Sequence, residues 1–303
     1  MRQDRPTQRF ARLLGLLVAV ALLLGVSACG GKDEPQAAPG TSTTEATPTT
    51  SEVREGTLIA TARVPDVVVL ADPPPGVDAP TTTTTAPPPG SHLPIPRVGL
   101  NSAGVSKVPE GYRFDNPTYF DNPLVMQVLE DRGEWLKVLI QARPNHTTGW
   151  VKASDVELST TTYRMVLSLA DRHLTVYDGD EVVVETDVVI GKDTTPTPLG
   201  EFFLSEKIPQ SNPNGSYGPW ILSTNGYSEA LDLFDNGLPV VAFHGTNKPE
   251  LIGTQASNGC IRLENEVITQ LAEMLPAGTP ILIVEESLKD APLTTTTSFT
   301  TAA

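Results

Sequence analysis

His244 and Cys260 are the pair of side chains in this 303-residue chain whose types and spacing suggest catalysis. The cysteine lies in Ser257-Asn258-Gly259-Cys260-Ile261-Arg262-Leu263, and His244-Gly245-Thr246 begins sixteen positions upstream. A thiol near its ordinary pKa of ~8.5 is only a few per cent thiolate at neutral pH, so it needs a base to become a nucleophile. An imidazole at the end of an apolar strand, here Val240-Val241-Ala242-Phe243-His244, can take that proton from a rigid edge. Gly259 lets the backbone bend and bring amide N–H groups toward a substrate oxygen. Such an oxyanion hole is worth ~10²–10³ per donor in acyl transfer. A helix expected to start near Asn265 adds a positive end close by. The alternative for Cys260 is a small buried core residue, and the residues around it leave both readings open.

Other chemistries find no support. There is no HExxH motif, and His92, His146, His173 and His244 lie far apart, so no metal site is expected. The G-x-S-x-G elbow, a serine followed three positions later by lysine, and the Rossmann and P-loop fingerprints are all missing. No cofactor is expected. His92, His146 and His173 read as surface residues.

The formal charge is −15, and no Lys/Arg-rich block follows the first dozen residues, which argues against nucleic acid as a partner. Residues 1–29 have the plan of an export signal: Arg2, Arg5, Arg9 and Arg12, then an apolar run from Leu13 to Val26, then Ser27 and Ala28. That run is shorter than the ~20 residues needed to span a bilayer. Val26-Ser27-Ala28-Cys29 resembles a lipobox, which implies acylation at Cys29 and a lipid anchor on the outer face of the cytoplasmic membrane. Cys260 is then an unpaired thiol in an oxidising compartment. Residues 30–55, rich in Pro, Thr, Ala and acidic residues, read as a disordered tether.

Two β-rich regions follow, so the fold class expected is mainly β, with two β domains. Residues 57–158 contain short strand-like pieces split by Asn-Pro, Arg-Gly and Pro-Asn turn signals, with a Pro/Thr-rich insertion at 73–94. Their ending, GWVKASDV, resembles a bacterial SH3-like domain, with Trp135 and Trp150 expected in its core. Residues 162–285 alternate in the strand manner, with a hairpin turn at Asp178-Gly179-Asp180. One helix is predicted, with Asn265 as N-cap, an apolar face of Val267, Ile268, Leu271 and Leu275, and Pro276 and Gly278 as stops. Pro280-Ile281-Leu282-Ile283-Val284 forms a last strand, and residues 286–303 read as a disordered tail.

The stretch HGTNKPELIGTQASNGCIRL resembles the signature of the L,D-transpeptidase (YkuD-like) catalytic domain, as does TPTPLGEF with the strands before it. The resemblance covers about residues 162–285 and implies a YkuD-like β-sandwich with one helix after the cysteine motif. It makes Cys260 the nucleophile, His244 the base, the Gly245 carbonyl an orienter of the imidazole, and Ser257 and Gly259 the frame of the nucleophile. The chain departs from many members at Asn258, where they carry histidine, and from some at Arg262, where they carry asparagine. Arg262 is either a contact for a substrate carboxylate or a solvated residue. Tyr217 and Trp220 either line a lid over the donor or anchor their loop.

The implied activity is formation of 3→3 peptidoglycan cross-links through a cysteine acyl-enzyme. Stem peptides would be the partners and carbapenems the inhibitors. The same site could instead pass the acyl group to water or to a protein lysine. A non-enzymatic peptidoglycan-binding lipoprotein is the reading from another class.

Overall fold

The computed structural model describes residues 56–77, 105–235 and 237–289. The expected signal, Cys29, the tether, His92, most of the Pro/Thr-rich insertion and nearly all of the tail lie outside these residues.

Eight strands build the first sheet: β1 (Thr57–Ala62), β2 (Asp66–Leu70), β3 (Val105–Val108), β4 (Gly111–Asp115), β5 (Val125–Asp131), β6 (Trp135–Leu139), β7 (Thr148–Lys152) and β8 (Val156–Thr161). Their order is β3-β4-β2-β7-β6-β5-β1-β8, and every neighbouring pair is antiparallel. Val67, Val69, Phe114, Met126, Leu136, Val138, Ile140 and Val151 are buried on its inner face. These are the β-branched and large apolar residues that fit a pleated surface. Trp150 is buried as expected. Trp135 is not: it is half-buried, and its ring lies 5.5 Å from Lys152 Nζ in a cation–π contact. An indole face that holds an ammonium stays near solvent.

The second eight-stranded sheet uses β9 (Tyr163–Ser168), β10 (His173–Asp178), β11 (Glu181–Asp187), β13 (Gly200–Pro209), β14 (Trp220–Tyr227), β15 (Val240–His244), β17 (Ile261–Arg262) and β18 (Pro280–Val284). The order is β11-β10-β9-β18-β13-β14-β15-β17. A small parallel pair, β12 (Ile190–Gly191) and β16 (Gln255–Ser257), lies outside it. Turn 179–180 joins β10 to β11, and Gly179 supplies the positive φ, 58°, that a tight hairpin needs.

Strand β13 is ten residues long and serves two partners. Gly200–Phe203 pair with β18, and from Leu204 onward the strand pairs with β14, with a register shift after Leu204. The two halves therefore close over one core, which contains Met165, Leu167 and Leu174 from one half and Leu222, Phe243 and Ile261 from the other.

The helix α1 spans Asn265–Met274 and buries Ile268, Leu271 and Ala272 in that core. Its apolar residues recur at the i, i+3/i+4 spacing of a one-sided helix. Lys207 Nζ donates to the Ala272 and Leu275 carbonyls at 3.0 and 3.1 Å, satisfying acceptors left open at the helix end. The cap differs from expectation. Glu264, without a side-chain cap, precedes the helix, and Asn265 is its first residue. The Asn265 side-chain oxygen Oδ1 is used elsewhere: it accepts the Thr246 N–H at 2.9 Å.

Ile59, Val125 and Leu139 of the first sheet and Phe203 of the second form a shared apolar cluster. Thr118 donates a short hydrogen bond to the buried Glu206 across the same junction. His146 is half-buried at this junction: its ring lies 5.0 Å from Phe202, and Nε2 is buried. Its connecting loop packs on the second sheet, and partial burial lowers its pKa. His173 is half-buried, with Nδ1 2.8 Å from Asp187 Oδ1.

Phe203 is fully buried between the two sheets. Phe203→Ala is expected to lower the unfolding free energy by about 3–5 kcal/mol in urea titration, the usual cost of removing a buried phenyl ring. A loss below about 1 kcal/mol would show that the junction does not hold the fold together.

Candidate active site

Strands β15 and β17 run parallel, with Phe243 opposite Ile261 and His244 opposite Arg262. Side chains alternate along a strand, so each such pair shares a face. Phe243 and Ile261 are both fully buried in the core. His244 and Arg262 therefore project from the other face, as does Ala242; Cys260 immediately precedes β17, and the same alternation carried one residue back puts it on that side. Two residues along a strand and one strand across correspond to about 8 Å between Cα atoms, which a histidine and a cysteine side chain can span. The sulfur is held at this edge, 3.9 Å from the Val240 carbonyl oxygen.

His244 is only 4% exposed. Its Nδ1 lies 2.6 Å from the Gly245 carbonyl oxygen, which can only accept. Nδ1 therefore carries the proton, and Nε2 keeps the lone pair that a base needs. The Tyr217 ring packs edge-on against the imidazole at 5.0 Å. Of the two aromatic residues at the end of loop 209–219, only Tyr217 meets His244; Trp220 begins β14 and packs on the core.

Both reactive groups favour their neutral forms. Burial drives the His244 pKa down to about 4, and the nearby Arg262 charge adds to this, while the Gly245 hydrogen bond opposes it. Burial also pushes the Cys260 thiol above its ordinary value; a backbone hydrogen bond from Ala242 and the Arg262 charge pull it back in part. The Tyr217 phenol is raised, first by burial and then by the charges of Cys260 and Asp235. Arg262 thus lies within electrostatic reach of His244, Cys260 and Tyr217, and Cys260 within reach of Tyr217. Arg262 Nε is buried with no acceptor among the described residues.

The loop before Cys260 is fixed from within and from behind. Ser257 Oγ donates to the Cys260 carbonyl at 2.6 Å and accepts the Gly259 N–H at 3.0 Å. Ser257 is therefore a clamp on the Cys260 backbone. The Gly259 amide is committed to that clamp and is not free for a substrate oxygen, contrary to the expectation for this glycine. Gly259 has φ +117°, a conformation that side chains other than hydrogen rarely adopt. Asn258, between them, is exposed.

Thr197 Oγ1 donates to the Gly259 carbonyl at 2.9 Å, and Thr195 Oγ1 to the Ser257 carbonyl at 3.3 Å. Sequence reasoning did not name these threonines individually, although they lie in the TPTPLGEF stretch. Gly218, with φ +63°, packs on Gly245; a Cβ there would meet Asn265 Oδ1 and come within 2.6 Å of Gly245 Cα. Asn265 thus positions the two residues that follow the histidine, and no local pattern signals that role.

The buried imidazole makes a pH-dependent contribution to folding. Above pH 6.5 neither the folded nor the unfolded chain protonates this ring. As pH falls from 6.5 toward about 4, the unfolded chain takes the proton first, so stability is lost across that window. The full difference is on the order of 3 kcal/mol. Urea titrations at pH 7 and 4.5 are expected to show wild type losing about 2–3 kcal/mol more than His244→Asn. Equal losses would contradict a buried neutral imidazole.

The profile of the YkuD family, the L,D-transpeptidase catalytic domain, matches residues 162–283. A putative L,D-transpeptidase YkuD of Bacillus licheniformis is 33% identical over 154 residues, covering 48% of this chain and 85% of that protein. Its Bacillus subtilis namesake is 30% identical over 151 residues, covering 48% and 84%. Among solved structures, an L,D-transpeptidase from Mycobacterium smegmatis is 19% identical, covers 51% of this chain and 79% of that one, and superposes with a TM-score of 0.33. With a histidine and a cysteine on one face of the β15–β17 pair and a matching relative covered over most of its length, the chain belongs to the YkuD family of L,D-transpeptidases.

Proposed function

We propose that this protein forms 3→3 cross-links in peptidoglycan through a Cys260 acyl-enzyme. The observation that carries the reading is the shared face of His244 and Cys260, with the imidazole held as the Nδ1–H tautomer.

The thiol enters the reaction protonated. His244 Nε2 takes its proton as sulfur attacks the amide carbonyl between the third residue of a tetrapeptide stem and its terminal D-Ala. A C–S bond forms, the C–N bond breaks, and the imidazolium gives its proton to the departing amine. A group whose pKa has been driven down to about 4 is a strong acid once protonated, so this return transfer is downhill. The amine of a second stem then attacks the thioester and loses a proton through His244. The new amide leaves, and Cys260 regains its thiol. Arg262, with its unmatched Nε on the same face, receives a stem carboxylate. Tyr217 covers the imidazole on the donor side.

Export and acylation at Cys29 would place the catalytic domain outside the cytoplasmic membrane, facing the wall, with residues 30–55 as tether. The first β domain, read as SH3-like, would act as a spacer or wall-contacting module.

A carbapenem tests the chemistry directly, because its strained lactam acylates an activated thiol. Intact mass after incubation is expected to rise by one inhibitor on wild type and to stay unchanged on Cys260→Ala. His244→Asn is expected to slow adduct formation by at least about 100-fold, the scale of general-base assistance. An equal adduct on Cys260→Ala would remove the proposal.

A further inference from the structure

The first sheet is tied to β14 and the β14–β15 connection by the side chains of Gln141, Arg143 and Asn145. The loop 140–147 between β6 and β7 lies against residues 224–232 of the catalytic domain. Arg143 Nη2 donates to the carbonyls of Ser228 at 2.8 Å and Leu231 at 2.9 Å, and Nη1 donates to that of Asp232 at 3.4 Å. Two residues on, Asn145 pairs with the Tyr227 backbone in both directions, accepting its N–H at 2.9 Å and donating to its carbonyl at 2.9 Å. Gln141 Nε2 donates to the Thr224 carbonyl at 3.1 Å.

The connection that contains this segment ends at β15. The Ser228 N–H donates to the Pro239 carbonyl at 2.8 Å, closing the base of the β14–β15 connection. The next residue is Val240, whose carbonyl oxygen lies 3.9 Å from Cys260 Sγ. Farther out, Leu233 and Phe234 are 51% and 42% exposed, large apolar side chains left in solvent. Asp235, which follows them, is close enough to Tyr217 for its charge to bear on the phenol that covers His244. Residues 228–235 contain no strand, and three of their carbonyls are satisfied by one guanidinium from another sheet.

We infer that Arg143 is a positioning residue: it fixes segment 228–235 so that Leu233 and Phe234 form an apolar wall beside Tyr217 for the donor stem peptide. The inference rests on the transpeptidase reading above. The fork of the guanidinium is essential to it. Three carbonyls need donors spread in one plane, and an ammonium is a compact point charge that cannot span them. Because Arg143 touches neither His244 nor Cys260, its removal acts on substrate binding and leaves the thiol chemistry alone.

The test compares wild type, Arg143→Ala, Arg143→Lys and the double variant Leu233→Ala/Phe234→Ala, all as full chains. Two quantities are read: KM and kcat for release of D-Ala from a tetrapeptide stem, and the rate of Cys260 alkylation by iodoacetamide, a probe too small to need the wall. Arg143→Ala and the Leu233/Phe234 variant are each expected to raise KM about fivefold, with kcat little changed, the signature of lost uniform binding. Arg143→Lys is expected to behave like Arg143→Ala. Alkylation rates, and their dependence on pH, are expected to stay within about twofold of wild type in all of them.

An unchanged KM in folded Arg143→Ala would overturn the inference, and so would alkylation that falls in parallel with turnover. Should Arg143→Ala fail to fold, the Leu233/Phe234 variant decides alone, because both side chains are exposed; an unchanged KM there overturns the wall. A wild type that alkylates readily yet releases no D-Ala would sink the transpeptidase reading itself, and this inference with it.

Discussion

The parallel pairing of β15 with β17 is the constraint on which the site depends. A one-residue slip would send Cys260 into the core and bring Ile261 out beside His244, because side chains alternate along a strand. The register is held from both sides. Phe243 and Ile261 are locked in the core between the closing halves of the sheet. On the other side, the Leu263 N–H donates to the His244 carbonyl at 2.9 Å, and Arg262 and Val189 exchange backbone hydrogen bonds at 3.0 and 2.9 Å. The backbone of Cys260 is then clamped by Ser257 and buttressed by Thr195 and Thr197. Hydrophobic burial sets the register, and a small set of buried hydrogen bonds sets the final position of the sulfur.

The electrostatics follow from that placement. Enclosing an imidazole and a thiol on one face, with Arg262 nearby, disfavours a charged imidazolium more than the single Gly245 hydrogen bond can offset. The resting pair is therefore neutral, in contrast to a site that stores a thiolate beside an imidazolium. A neutral thiol is a poor target for chance oxidation, which matters for a cysteine with no disulfide partner among the described residues. The cost is that proton transfer must accompany attack, so the direction of Nε2 matters as much as its basicity.

Much of this could be read along the chain. The DGD turn, the apolar strand ending at His244, the last strand and the single helix are local patterns of period two or 3.6, and local patterns survive in sequence. His244 and Cys260 stand out along the chain because they sit in one short stretch with a resemblance to a known signature. What escaped was set by partners far away in the chain. Asn265 looked like an N-cap, but its oxygen is taken by the Thr246 N–H nineteen residues upstream. Gly259 looked like an oxyanion donor, but Ser257 had already claimed its N–H. His146 and Trp135 are both half-buried, where a surface and a core position were expected, because the inter-sheet junction and a lysine decided their burial. Arg143 gave no signal at all, since its acceptors are backbone carbonyls more than eighty residues away.

The central claim is that a neutral imidazole, protonated on Nδ1, presents Nε2 to a neutral thiol. Nitrogen-15 chemical shifts of the His244 ring, followed from pH 7.5 to 3.5, test it most directly. The account predicts the Nδ1–H tautomer at neutral pH, a titration midpoint near 4, and a shift at Nε2 when Cys260 is replaced by alanine. An imidazolium persisting at pH 7, or an Nε2 resonance indifferent to Cys260→Ala, would contradict it.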